Sequence, residues 1–344
     1  MKILISFLIL ISIFLFSFLI TYLTQRFLSY KNLLVVPDLR SSHKEPKPQG
    51  GGLSIILVLI ISLLTLDYFD LVQQDQYLFF LIPGLLVAFI GFLDDFWGIK
   101  PSIRISIHFL SACLGIYLIG SFPVISFFEH NIDLGVFGIC FGLIYTVWLI
   151  NLYNFMDGID GLASLEAISV LSVFALISYY VQLDSYFPYL LTILTFSIFG
   201  FFVLNFPKSK IFMGDVGSGF LGLVIALISI YSSMNYPQLF WSWLILLGVF
   251  LVDASLTLII RIFRGKKFYI PHSSHAYQKI ARKLNSHSKT SIFVVLINVL
   301  WLFPLAFLVA LERIEGILGV VFAYTPLVFL VYYLDANLPD KQDA

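Results

Sequence analysis

Apolar segments long enough to cross a bilayer recur along almost the whole chain, and this pattern restricts the fold more than any other feature. The hydrocarbon core is about 30 Å thick, so a spanning helix needs about 20 consecutive apolar residues. Such runs fall at about 3–24, 51–69, 77–93, 103–122, 135–153, 161–181, 188–206, 217–234, 239–262, 291–311 and 317–335. Of the 344 residues, 60% are hydrophobic and only 12% charged, whereas a soluble domain is about a quarter charged. The expectation is an all-α polytopic integral membrane protein with eleven spans, folded as one domain over residues 1–344. The first run keeps one lysine and lacks a small-residue cleavage pattern, so it reads as a retained span rather than a signal peptide. Cys113 and Cys140 lie in apolar runs without ligand spacing and read as packing residues.

Lysine and arginine set the orientation. The loops after spans one, three, five, seven and nine share one side with the C-terminal tail. Every Lys and Arg lies on that side or at its edge, apart from Lys2 and Arg313. Basic loops stay in the cytoplasm, which places the N-terminus outside and the C-terminus inside and requires an odd number of spans. The opposite loops are short and hold little beyond turn formers and aromatic anchors. No soluble domain, linker or strong internal repeat is visible, and no nucleic-acid partner is expected.

The chemistry is concentrated in the basic-side loops. The stretch NLYNFMDGIDG steps Asn151, Asn154, Asp157 and Asp160 by three residues, which on a helix keeps all four along one slowly drifting stripe. A lone Asp-Gly is ordinarily a turn. A polar ladder at a membrane boundary marks a site, because polar groups there are costly. Asp94 and Asp95 end the third span. Adjacent carboxylates repel, which suits a proton acceptor or a neighbour of a metal, and the helix macrodipole disfavours acids at that end.

Asp215 stands in a glycine-rich loop where span eight starts, a place for a Mg2+ ligand or an N-cap. Loop 1, RSSHKEPKPQGGG, offers Lys44, Lys47 and three glycines to phosphates or to anionic lipid headgroups. In the longest basic loop, His272 and His275 follow Arg261, Arg264, Lys266 and Lys267. Two histidines at that spacing suit phosphate or a leaving group better than zinc, since no third ligand is near in sequence. His287 reads as solvated. Glu166 and Asp253, inside spans, read as structural hydrogen-bonding acids or as members of the same site. The whole set suits a metal-bound phosphate compound reacting with a lipid headgroup at the cytoplasmic boundary.

GFLDD, NLYNFMDGIDGLA and NFPKSKIFMGD, in that order on one side, resemble the polyprenyl-phosphate N-acetylhexosamine-1-phosphate transferases, glycosyltransferase family 4. The resemblance runs from PQGGG of loop 1 to the histidines of the last basic loop. It implies a bacterial inner-membrane enzyme, working as a homodimer. The enzyme would move a sugar-1-phosphate from a UDP-sugar to undecaprenyl phosphate, release UMP, and depend on Mg2+, which Mn2+ replaces. Carried over, Asp94 is the acid that deprotonates the lipid phosphate, with Asp95 beside it, and Asp215 is the metal ligand. Asn154, Asp157 and Asp160 line the nucleotide-sugar pocket, and Asp160 is counted with the catalytic acids. Asn205 and Phe212 look like uridine contacts, Lys44 looks like the loop 1 lysine, and His272 and His275 face the phosphates. The translocase branch has three consecutive histidines and the GlcNAc branch His-x-His-His, while this chain has PHSSHAYQ. That run looks more like the branch that starts O-antigen and related glycans with 6-deoxy N-acetylhexosamines such as FucNAc or QuiNAc.

Two other classes compete. A transporter or flippase would distribute acids through its spans, whereas these cluster at one face. A CDP-alcohol phosphotransferase follows its first Asp-Gly with Ala-Arg, whereas Ile159 and Asp160 follow here.

Overall fold

The computed structural model describes residues 2–37, 45–128, 130–184, 186–266 and 273–337, with side chains over 6–335 of these. Lys44 and His272 lie outside them. The first helices are α1 (Lys2–Tyr30), α2 (Gly52–Tyr68), α3 (Leu78–Trp97), α4 (Pro101–Ile119) and α5 (Val136–Met156). Next come α6 (Leu162–Tyr180), α7 (Tyr186–Asn205), α8 (Asp215–Ser232), α9 (Gln238–Leu246) and α10 (Gly248–Phe263). The chain ends with α11 (Ala276–Leu284), α12 (His287–Ile297), a π-turn (Asn298–Leu302), α13 (Phe303–Ala310) and α14 (Gly316–Asn337).

Each of the eleven apolar runs coincides with helix. Among the described residues, nine helical segments are long and apolar enough to cross a membrane, the stretch from α12 to α13 counting as one. The other two runs differ. α2 has 17 residues, and the ninth run is a broken pair, α9 and α10, bent by 71° around Leu247. The protein is a multi-pass, all-α membrane protein. Cys113 and Cys140 are exposed on the outer faces of α4 and α5, where the sequence suggested packing.

α8 is the hub. Almost all of it is buried, with α3 and α5 packed along it and α2 crossing its start. Water drives no apolar burial between helices within lipid, so close backbone approach and dispersion contacts matter most. Three glycines permit that approach. A Cβ on Gly91 would lie 2.6 Å from the Asp215 carbonyl, and one on Gly222 would lie 2.8 Å from Cα of Ile150. A Cβ on Gly52 would collide with the Gly217 backbone. Of the three loop 1 glycines, Gly51 and Gly52 thus serve close packing and backbone pairing. β1 (Leu34–Val35) pairs antiparallel with β2 (Lys47–Pro48). The chain then zips onto the loop between α7 and α8, with Phe212 N–H donating to Pro48 O and Gly51 and Gly52 N–H to Phe212 O and Met213 O, all at 2.9 Å.

A second seam joins α6 to the last third of the chain. Glu166 is fully buried and accepts a 2.6 Å hydrogen bond from Asn298 in the π-turn, whose amide also meets the Ser169 hydroxyl at 2.9 Å. Glu166 is thus an interhelical tie. Gly91→Ala is expected to destabilise the protein by about 1–3 kcal/mol through overpacking against Asp215. Thermal unfolding in detergent would show this as a lowered midpoint.

Candidate active site

The C-terminal ends of α3, α5 and α7 meet the N-terminal ends of α4, α6, α8 and α12 at one end of the bundle. α8 starts after Gly214, a glycine at φ +79° with no side chain to cap the helix. Asp95 supplies the cap from α3. Its Oδ1 accepts from Asp215 N–H at 2.8 Å and its Oδ2 from Val216 N–H at 3.2 Å, while Gln49 donates to Oδ1 at 2.5 Å. Capping, which the sequence left open to Asp215, thus falls to Asp95.

Asp94 closes the turn into α4. Its Oδ1 accepts from Ile99 N–H at 2.6 Å, and its Oδ2 is ion-paired with Arg104. The other arm of that guanidinium reaches Asp215 Oδ2 at 2.7 Å. Asp215 Oδ1 accepts from Asn154 at 2.6 Å. Asp157 completes the cluster. Burial, then repulsion from Asp215 and Asp95, raises its carboxyl well above the usual carboxylate range, against the pull of a backbone hydrogen bond from Gly214.

The polar ladder does not run along one stripe. α5 ends at Met156, so Asp157 and Asp160 lie past the helix, and the chain turns between them. Asn151 bonds back to Val147 O at 2.7 Å and lies 3.5 Å from His108 Nδ1. Asp160 anchors a second, adjoining cluster. Ser209 donates to its Oδ1 at 2.5 Å, His287 Nδ1 lies 3.3 Å from Oδ2, and Lys47 Nζ lies 3.9 Å from Oδ1. Burial pushes this carboxyl up, but the hydrogen bonds from His287 and Ser209 and the Lys47 charge outweigh it, so its pKa falls below the ordinary value. Lys47 Nζ also sits 5.3 Å from the centre of the Phe212 ring.

Other expected residues have structural partners. Asn205 is buried, accepts from Gly161 N–H at 3.1 Å and donates to Ile211 O at 3.0 Å, clamping two loops together. His275 is buried beside Asp253, Nδ1 to Oδ1 at 3.4 Å, and stacks on Phe155. Asp253 also caps α11, accepting from Ala276 N–H at 2.8 Å and Tyr277 N–H at 2.9 Å. His287, expected to be solvated, instead belongs to the Asp160 cluster. Arg104 was missed as well. Its one sequence signal is its place a turn inside a helix that follows two acids.

Asp94, Asp95, Asp157 and Asp215 outnumber the guanidinium beside them, an excess that suits a hard divalent cation with oxygen ligands. Among the described residues, no three His, Cys, Asp or Glu side chains converge as a ready metal cage. Mg2+ does not need one, because it binds through one or two carboxylates and fills its shell with water and substrate phosphate. Asp215 and Asp157, with the Asn154 amide, fit that habit.

The family model described as glycosyl transferase family 4 matches residues 77–233, which carry Asp94, Asp95, Arg104, Asn154, Asp157, Asp160 and Asp215. Over those residues, somewhat under half of its length, the chain is similar to this family. A phospho-N-acetylmuramoyl-pentapeptide-transferase of Petrotoga mobilis is 30% identical over 58% of the chain and 65% of the relative. A probable undecaprenyl-phosphate N-acetylglucosaminyl 1-phosphate transferase of Bacillus subtilis is 26% identical over 76% and 73%. An undecaprenyl-phosphate alpha-N-acetylglucosaminyl 1-phosphate transferase of Thermotoga maritima is 25% identical over 81% and 83%. The match to the Petrotoga relative thus spans just under two thirds of that protein's length.

Asp95→Ala is expected to cost about 0.5–2 kcal/mol of stability through loss of the α8 cap. Asp95→Asn should lose less, because an amide oxygen still accepts one N–H. Equal unfolding midpoints for wild type and Asp95→Ala would rule out the cap.

Proposed function

We propose that the protein transfers a sugar-1-phosphate from a UDP-N-acetylhexosamine to undecaprenyl phosphate, releasing UMP on the cytoplasmic face of a bacterial inner membrane. The observation that carries the reading is the bridging of Asp94 and Asp215 by Arg104, with Asn154 on the second oxygen of Asp215, at the end of a membrane bundle. The two relatives with the longest matches quoted above are named as transferases of N-acetylglucosaminyl 1-phosphate on undecaprenyl phosphate. The PHSSHAYQ run favours a 6-deoxy N-acetylhexosamine donor and a lipid-linked glycan such as O-antigen.

In the reaction, an oxygen of the lipid phosphate bonds to the sugar-bearing phosphorus, and the bond from that phosphorus to the UMP oxygen breaks. A phosphate monoester is largely ionised at neutral pH, so the protein's task is to position two anions and offset their repulsion. Asp215 and Asp157 would hold Mg2+ or Mn2+ with Asn154. The bound metal supplies charge neutralisation at the diphosphate. Both oxygens of Asp94 are engaged by Arg104 and Ile99 N–H, so Asp94 acts first as the anchor of that arginine. The Asp160 cluster, with Lys47 over Phe212, gives the donor nucleotide a basic and aromatic seat. A dimer is the proposed assembly.

The deciding assay is UMP release by purified protein with Mg2+, undecaprenyl phosphate and a panel of UDP-N-acetylhexosamines. Lipid-dependent release with one donor is expected, and none with any donor from folded protein would overturn the reading. Asp215→Asn should abolish the Mg2+-dependent turnover, and wild-type rates would remove it as the metal ligand. Lys47→Ala should raise KM for the donor about tenfold, a loss of about 1.4 kcal/mol of binding, with a smaller change in kcat. An unchanged KM would take Lys47 out of the donor seat.

A further inference from the structure

Arg104 divides its guanidinium between two helices. Nη1 pairs with Asp94 Oδ2 on α3, and Nη2 lies 2.7 Å from Asp215 Oδ2 on α8. The other oxygen of each acid is held elsewhere, Asp94 Oδ1 by Ile99 N–H and Asp215 Oδ1 by Asn154. A cation approaching Asp215 therefore meets a carboxylate whose remaining oxygen already has a positive partner. A quarter of the Arg104 side chain is exposed, so it is not locked in the bundle.

We propose that Arg104 is a resident counter-cation that competes with the divalent metal for Asp215. Once displaced, it keeps Asp94 and turns its freed nitrogen to a substrate phosphate. The inference rests on the metal role proposed above for Asp215. A guanidinium stays charged at any accessible pH, so it cannot escape the incoming metal by losing a proton. Released from Asp215, it is short of one anion, and a phosphate oxygen is the partner its planar fork suits best. With no metal bound, Arg104 offsets the repulsion among Asp94, Asp95, Asp157 and Asp215. With metal bound, the same charge serves the phosphate. Metal and phosphate then favour each other's binding, and the coupling runs equally in both directions.

The test is Mn2+ binding to the purified full chain, read by the free-ion electron paramagnetic resonance signal, with and without undecaprenyl phosphate in the micelle. Arg104→Gln is expected to bind Mn2+ about fivefold or more tightly than wild type, because a competitor that lowered the binding-competent fraction is gone. Undecaprenyl phosphate should tighten Mn2+ binding about fivefold or more in wild type and clearly less in Arg104→Gln. Arg104→Lys keeps the charge without the two-armed bridge, so its Mn2+ affinity should fall between the two. Folded Arg104→Gln with wild-type or weaker Mn2+ affinity would overturn the proposal, as would Arg104→Lys indistinguishable from wild type. Asp215→Asn separates the two levels. If it binds Mn2+ like wild type, the metal reading of Asp215 fails. If it loses Mn2+ while Arg104→Gln shows no gain, only the competition fails.

Discussion

Asp95 holds the first turn of α8 from a different helix, and the geometry of the acid cluster depends on that pair of hydrogen bonds. A helix N-terminus has four backbone N–H groups without partners inside the helix. Gly214 has no side chain with which to serve them. The Asp95 carboxylate takes two of them and is itself steadied by Gln49 from loop 1. Its charge also complements the positive end of the α8 macrodipole. With α8 fixed, Asp215 is set between Arg104 and Asn154. Gly91 makes the arrangement sterically feasible, because a larger residue would hold α3 away from Asp215.

The second cluster depends on a different tie. α12 brings His287 to Asp160, and Ser291 on the next turn donates to the Asp160 carbonyl at 2.9 Å. Farther along, Asn298 bonds to Glu166, on the helix that begins just after Asp160. The α6 segment and the α12 segment with its π-turn are thus pinned at two levels. The two clusters meet along residues 157–160. An acidic compartment and a basic, aromatic one thus lie within a few residues of chain of each other.

Much of the architecture was legible in the sequence because hydrophobic runs report membrane helices directly. The broken ninth run was not, since apolar composition continues unchanged through Leu247 and Gly248 while the backbone turns. The identity of the acids was legible too, because charges at the edge of lipid stand out. Their division of labour was not. Asp94 and Asp95 look equivalent as neighbours, yet one caps α8 and the other anchors an arginine. The three-residue ladder implied a continuous helix, but α5 ends at Met156 and the turn before α6 splits its members between clusters. His287 looked solvated because its partner, Asp160, is 127 residues away in sequence. The surroundings of His275 were not legible either, because Asp253 and Phe155, which flank its buried ring, lie far from it in sequence.

The separation between Asp95 and the α8 amides it caps, 120 residues, also bears on how the protein is made. At synthesis rates of about 5–20 residues per second, α3 emerges roughly 6–24 seconds before α8 can offer those amides. During that interval the third span carries two carboxylates at its end, one of them without its eventual partners, while α4 already brings Arg104 for Asp94. Insertion of the early spans therefore has to keep the α3 terminus hydrated until α8 arrives. The active end of the bundle is then assembled late, when α8 and finally α12 close over acids that entered the membrane with the first third of the chain.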